Sequence, residues 1–221
     1  NKQNDYFGQT DLFYFDLDTY EDKKIKSSVH SAPSWHSNGK MIYYSKKSKF
    51  PNKHGSRYYD IYSYDFETEK EDRLTVDARA FNPVFIEIDS SIAYLATFDG
   101  GQNIYILDLK SNELKKVTDF RDRPMISHLT YCPSSHSLFF DITSHHFRDI
   151  YEYGIEDGSL NKKQDHNLYD ERNMASNNAG LQIFSQDKSG IFNLYMSNPT
   201  DTTEGYITNV TGGAFMPDIS A

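Results

Sequence analysis

The sequence predicts an all-β protein: a β-propeller of four-stranded antiparallel blades, about five to six of them visible in whole or in part. Three observations carry this. A short phrase returns five times, as Asp11-Leu-Phe-Tyr-Phe-Asp16, Asp60-Ile-Tyr-Ser-Tyr-Asp65, Asn103-Ile-Tyr-Ile-Leu-Asp108, Asp149-Ile-Tyr-Glu-Tyr-Gly154 and Phe192-Asn-Leu-Tyr-Met-Ser197. Counted from Asp11, Asp60, Asn103, Asp149 and Asn193, its steps are 49, 43, 46 and 44 residues, a period that fits one blade per repeat. Between the phrases, short aromatic and β-branched runs alternate with turn residues, as a meander of antiparallel strands requires.

The third blade shows the elements most clearly. Its first strand is predicted over 82–88, the second over 92–97, the third over 103–108 and the fourth over 114–118, with turns at 89–91, 99–101 and 110–113. Residues 32–44 supply strands one and two of the preceding blade around an Asn38-Gly39 hairpin turn, and 129–140 repeat that element with a degraded turn. Residues 179–184 supply a second strand later, and blade ends recur as Arg73-Leu-Thr75, Val117-Thr118 and Val210-Thr211. The expectation is two strands of one blade, four whole blades, and one strand of another beginning near Pro217. Residues 162–178 show no clear fourth strand and read as a polar surface loop, which makes the Asp149 blade the least regular. Residues 45–59 read as a second inserted loop, basic through Lys46, Lys47, Lys49, Lys53, His54 and Arg57. A solvated loop is its plainer reading and a contact role the sharper one.

Composition narrows the function classes. Seventeen Tyr and fifteen Phe offset a modest 37 % apolar fraction, because aromatic side chains suit half-buried pleated surfaces. A net charge of −9 argues against a general nucleic-acid binder, and no apolar run approaches the ~18 residues of a membrane span. The single Cys132 lies in a predicted strand and reads as a buried structural thiol. The chain starts without Met or a signal-peptide pattern, so both ends read as cuts through a longer protein. Open edges at such cuts predict that the isolated chain aggregates or closes imperfectly.

The phrases Ala32-Pro-Ser-Trp-His-Ser-Asn-Gly-Lys-Met-Ile-Tyr43, Asp60-Ile-Tyr-Ser-Tyr-Asp65 and Arg73-Leu-Thr75 resemble the repeat of TolB-type propellers, a blade type related to those of tricorn and prolyl-oligopeptidase-type propeller domains. The resemblance covers the whole chain, making residues 1–221 one TolB-like domain. The family's Ser-Pro-Asp-Gly turn departs to His36-Ser-Asn-Gly39, Ile86-Glu-Ile-Asp-Ser90 and Cys132-Pro-Ser-Ser135. Membership implies a bacterial periplasmic, cell-envelope or secreted setting more than any reaction.

Chemistry is hard to find. No Gly-x-Ser-x-Gly nucleophile elbow is present. His145 and His146 are adjacent, so on a strand they point to opposite faces and do not share an ion. Asp16, Asp18 and Asp22 hint at calcium but fit a hairpin after a third strand. A carboxylate pair for glycoside hydrolysis is a spatial arrangement that no spacing here singles out. Asn209-Val-Thr211 matches a glycosylation acceptor. No catalytic residue, metal ligand or cofactor is assigned.

The candidate binding residues lie in the connections from fourth to first strands, predicted at 27–32, 76–82, 119–126, 169–173 and 212–216. These hold Arg79, Arg121, Arg123 and Arg172, four of the seven arginines, with Phe81, Phe120 and Phe215. Arginine beside aromatic rings suits a protein or peptide partner with an acidic or carboxylate-bearing group. The plainer alternative pairs each arginine with Asp77, Asp122, Asp170 or Glu171. The resulting expectation is a non-catalytic binding propeller. The alternative is an accessory propeller of a peptidase or other hydrolase whose catalytic domain lies elsewhere, and a carbohydrate-active propeller is a third reading.

Overall fold

The computed structural model describes residues 10–98, 100–144, 146–164 and 168–219. It contains eighteen strands and, among the described residues, no helix. A hairpin, β1 (Thr10–Phe15) and β2 (Asp22–Val29), precedes four sets of strands. These are β3 (Ser34–Trp35), β4 (Met41–Lys47), β5 (Tyr59–Asp65), β6 (Glu71–Arg73); β7 (Ala80–Ile86), β8 (Ser91–Ala96), β9 (Asn103–Asp108), β10 (Leu114–Lys116); β11 (Met125–Cys132), β12 (Ser137–Ser144), β13 (Phe147–Gly154), β14 (Leu160–Lys162); and β15 (Glu171–Ser176), β16 (Gln182–Gln186), β17 (Asn193–Asn198), β18 (Thr203–Tyr206). The last three sets are each a four-stranded sheet in sequence order, the meander of a propeller blade, while the first set shares a six-stranded sheet with β1 and β2.

Two compact units divide the chain: residues up to Phe85 with Tyr94–Phe98, and Ile86–Ala93 with the described residues beyond Phe98. In the first, Val29, Ile42, Tyr44, Tyr62 and Tyr64 form a buried cluster against Leu12, Ile25 and Phe66. In the second, Cys132, Phe139, Ile150, Met174 and Phe184 do so against Tyr195. Cys132 is free and 1 % exposed, the buried thiol the sequence suggests.

The aspartates after third strands close hairpins. Asp65 Oδ1 accepts from Glu67 N (2.8 Å) and Thr68 N (3.0 Å), Asp108 Oδ1 from Lys110 N and Ser111 N (both 2.7 Å), and Asp16 Oδ1 from Asp18 N and Thr19 N. These are Asx turns, which use the aspartate side chain in place of a backbone carbonyl.

Several expectations need correcting. Ser27 to Val29 belong to β2 rather than a connection, and Val29 pairs with Lys46, so the hairpin joins the next blade's sheet. Residues 162–178 are not one surface loop, because Glu171–Ser176 form a strand. The fourth strand is present as β14, and β15 follows with Glu171, Asn173 and Met174 buried. Pro217 to Ile219 form no strand, and Ser220 and Ala221 lie outside the described residues, as do Asp99 of the predicted turn and His145 of the histidine pair.

Candidate binding site

One repeated hydrogen-bond set fixes the turn out of the fourth strand. In the first unit, the Thr75 hydroxyl donates to Asp60 Oδ1 (3.1 Å) and accepts from Ile61 N (2.9 Å), while Ala78 N donates to the same carboxylate oxygen (2.9 Å). In the second, Thr118 bridges Asn103 Oδ1 (3.1 Å) and Ile104 N (2.9 Å), with Phe120 N on Asn103 (2.8 Å). Thr208 does the same with Asn193 (3.0 Å) and Leu194 N (2.8 Å), with Val210 N on Asn193 (2.8 Å). At Asp60, Asn103 and Asn193 the repeated phrase thus begins with a side chain that clamps the outgoing connection. The matching blade end is Ile207-Thr208, not Val210-Thr211.

The Asp149 blade keeps the backbone part of this arrangement. Lys163 N donates to Ile150 O (2.9 Å), as Leu74 N does to Ile61 O and Val117 N to Ile104 O. At the threonine position stands Gln164. Asp149 instead takes Lys162 Nζ at 3.1 Å, and its buried Oδ1 has no hydrogen-bond partner among the described residues. The irregularity of this blade is therefore a missing hydroxyl rather than a missing strand.

The clamp at Asn103 positions a cleft in the second unit. Residues 119–125, Ile142, Thr143, Ser144 and Tyr151 line about 820 Å³. Three of the predicted residues meet here. Phe120 is half-buried, edge-on to Phe140 at 6.3 Å. The Arg121 side chain is 88 % exposed, with Nε 3.4 Å from Asp119 Oδ2. Asp119 is held chiefly by Lys116 at 2.6 Å, which keeps its carboxyl below the ordinary range. Arg123 is exposed, adopts φ +52°, and makes no ion pair among the described residues.

The other predicted residues sit in two further Arg–aromatic groups. In the second unit, the Arg172 guanidinium lies 4.2 Å from the Phe192 ring centre, and Phe192 packs on Phe215 at 4.9 Å. Arg172 lies on β15, not in a loop, and Nη2 binds Asp170 at 2.5 Å, the pairing the plainer alternative expects. In the first unit, Arg79 stacks on Tyr58 at 4.4 Å and donates to its hydroxyl at 2.9 Å, which lowers the Tyr58 pKa. Asp77 faces Arg73 (3.6 Å) rather than Arg79. Phe81 meets His30 edge-on at 6.2 Å.

Sequence reasoning missed a buried ionic knot. Asp141, fully buried, takes Arg148 Nη2 (2.6 Å) and Asn173 N (3.0 Å), while Arg148 N donates to Asp170 Oδ1 (3.0 Å). Burial pushes the Asp141 carboxyl up against the pull of Arg148. The available signal was a lone acid in the apolar run Phe139-Phe140-Asp141-Ile142. It links strands β12, β13 and β15 and so braces the strand that carries Arg172.

This arrangement can hold anionic and aromatic groups. Guanidinium forks bind carboxylates in pairs of hydrogen bonds, and the rings supply apolar contact. Among the described residues, no group of three or more His, Cys, Asp or Glu side chains is placed to hold a metal ion. Nor, among the described residues, is any helix long and apolar enough to cross a membrane.

No protein-family model matches the chain, and no curated protein matches it by sequence. Solved structures do. TolB from Acinetobacter baumannii superposes with a TM-score of 0.71 at 20 % identity, over 93 % of this chain and 50 % of that one. A candidate TolB of Agrobacterium tumefaciens gives 0.73 at 15 %, over 94 % and 72 %. A puromycin-hydrolyzing peptidase of Mycobacterium tuberculosis gives 0.70 at 10 %, over 94 % and 37 %. The chain thus spans half the length of the first of these structures. With its four-stranded meanders, the likeness identifies the fold: a TolB-like propeller.

Proposed function

We propose that this chain is a non-catalytic binding propeller, part of a bacterial cell-envelope or secreted protein, that docks a protein or peptide through an acidic or carboxylate-bearing group. The carrying observation is Arg123, exposed beside Phe120 and Arg121 on the 820 Å³ cleft with no ion pair among the described residues. A carboxylate entering there meets two guanidiniums and an aromatic wall, and recognition needs no covalent step. Arg79, Arg172, Phe81 and Phe215 are assigned secondary contacts in the same class.

Titration calorimetry with peptides ending in a free carboxylate, against the same peptides amidated, tests this. Binding that is lost on amidation and in Arg121→Ala/Arg123→Ala supports the reading. Equal binding by amidated peptides, or by the variant, overturns it. The likeness to the puromycin-hydrolyzing peptidase, of whose chain this one covers 37 %, supports a second reading as the accessory propeller of a hydrolase. Labelling of the intact protein by a fluorophosphonate serine-hydrolase probe would favour that second reading.

A further inference from the structure

The basic insertion between β4 and β5 is a folded finger. Ser48 N donates to Tyr58 O (2.8 Å), Asn52 N to Ser56 O (2.8 Å) and Gly55 N to Asn52 O (2.9 Å). Asn52 Oδ1 accepts from His54 N and Ser56 N, Ser48 Oγ donates to Phe50 O, and Arg57 Nε donates to Ser48 O at 2.7 Å. Much of the finger's polar backbone is thus satisfied within the finger itself.

Its surface is charged and apolar at once. Residues 45–59 hold five Lys or Arg and no Asp or Glu, on a chain of net charge −9. In the first unit, Lys23, Lys24, Lys26, Lys40, Lys46 and Lys70 each reach a carboxylate within 4 Å. Among the described residues of that unit, the lysines with no ion pair are Lys49 and Lys53 on the finger and Lys47 at its base, the last residue of β4. Beside them Phe50 is 72 % exposed, with Lys49 Nζ 5.4 Å from its ring centre.

We propose that this finger is a peripheral contact for an anionic lipid surface, with Phe50 at the headgroup boundary and Lys47, Lys49 and Lys53 on the lipid phosphates. Unpaired lysines on an acidic protein need an anionic surface that faces only the finger. An exposed aromatic between them gains from an apolar boundary. A turn with internally satisfied backbone groups tolerates that boundary, whereas a partner adding by backbone pairing needs those groups free. The proposal is independent of the cleft.

Co-sedimentation of the 221-residue chain with phosphatidylcholine vesicles, alone or mixed with phosphatidylglycerol, tests it. The wild type should bind the mixed vesicles and release at high salt. Lys47→Ala/Lys49→Ala/Lys53→Ala should weaken binding about a hundredfold, and Phe50→Ala several-fold at both salt levels. The corresponding triple Arg variant, folded and equally charged, should bind like wild type. Equal binding to neutral vesicles overturns the proposal. So does an unaffected triple Ala variant, or tighter binding to an oligonucleotide or acidic peptide than to the mixed vesicles.

Discussion

Replacing Thr118 by Val tests whether the repeated hydroxyl clamp holds the outgoing connections. The side chains are close in volume, so packing is kept while one oxygen is lost. That oxygen accepts from Ile104 N and donates to Asn103 Oδ1, in a residue 6 % exposed. Asn103 keeps a second donor in Phe120 N, so the principal loss is Ile104 N–H, left buried without an acceptor. An unsatisfied buried donor costs about 1–3 kcal/mol, and a neutral hydrogen bond is worth about 1 kcal/mol net. The expected destabilisation is therefore about 2 kcal/mol, or about 4–8 °C in melting temperature for a chain of this size. Thr118→Ser retains the hydroxyl and should recover most of the loss. Thermal unfolding followed by circular dichroism reads both variants. A Val variant that melts with the wild type, or a Ser variant as unstable as Val, would refute the clamp.

Three other outcomes follow from the same geometry. Gln164→Thr installs the missing hydroxyl near Ile150 N and the unpartnered Asp149 Oδ1, and should raise stability by about 1 kcal/mol in urea unfolding; an unchanged midpoint would show that the blade does not need it. Backbone donors hold the Asp65 and Asp108 carboxyls below their ordinary range, through Thr68 and Glu67 in one case and Ser111 and Lys110 in the other. A lowered folded pKa stabilises above the unfolded value and is lost as pH falls through the folded one, so Asp65→Asn/Asp108→Asn should flatten the loss of stability below about pH 4. Gly213 adopts φ +93°, and an added Cβ would lie 2.7 Å from the Phe215 ring; Gly213→Ala should move Phe215 off Phe192, visible as altered ring chemical shifts.

The fold was legible because its signal is repeated. The phrase at Asn103 marks β9 to the residue, and Asn38-Gly39 marks a hairpin turn because Gly39 adopts φ +69°. What failed was non-repeating. Around 162–178 the threonine signal is replaced by Gln164, and β15 reads as polar because Glu171 and Asn173 sit on a buried strand. The Glu171 carboxylate accepts from Gln186 Nε2, and the Asn173 backbone N–H donates to Asp141, partners that sequence spacing does not reveal. The sequence offered the proposed contact residues as a list and could not show how they group. Arg172 and Phe215 share a cluster only through Phe192, and Arg79 found Tyr58 on an insertion rather than its neighbour Asp77.

At position 123, substitution by glycine separates a binding arginine from a structural one. Arg123 adopts φ +52°, a left-handed conformation costing a side-chain-bearing residue about 1 kcal/mol relative to glycine. Its guanidinium makes no ion pair among the described residues to offset that cost. Arg79 shares this conformation at φ +51° but is held by the Tyr58 hydroxyl, whereas at position 123 glycine would remove the cost with no ion pair lost. Arg123→Gly should therefore match or exceed the wild type in unfolding stability while losing the carboxylate-dependent peptide binding. Arg123→Ala, which keeps the strain, should lose the binding without the gain. If both variants instead melt well below the wild type, the arginine is a structural brace, and the cleft loses its principal claim to a ligand.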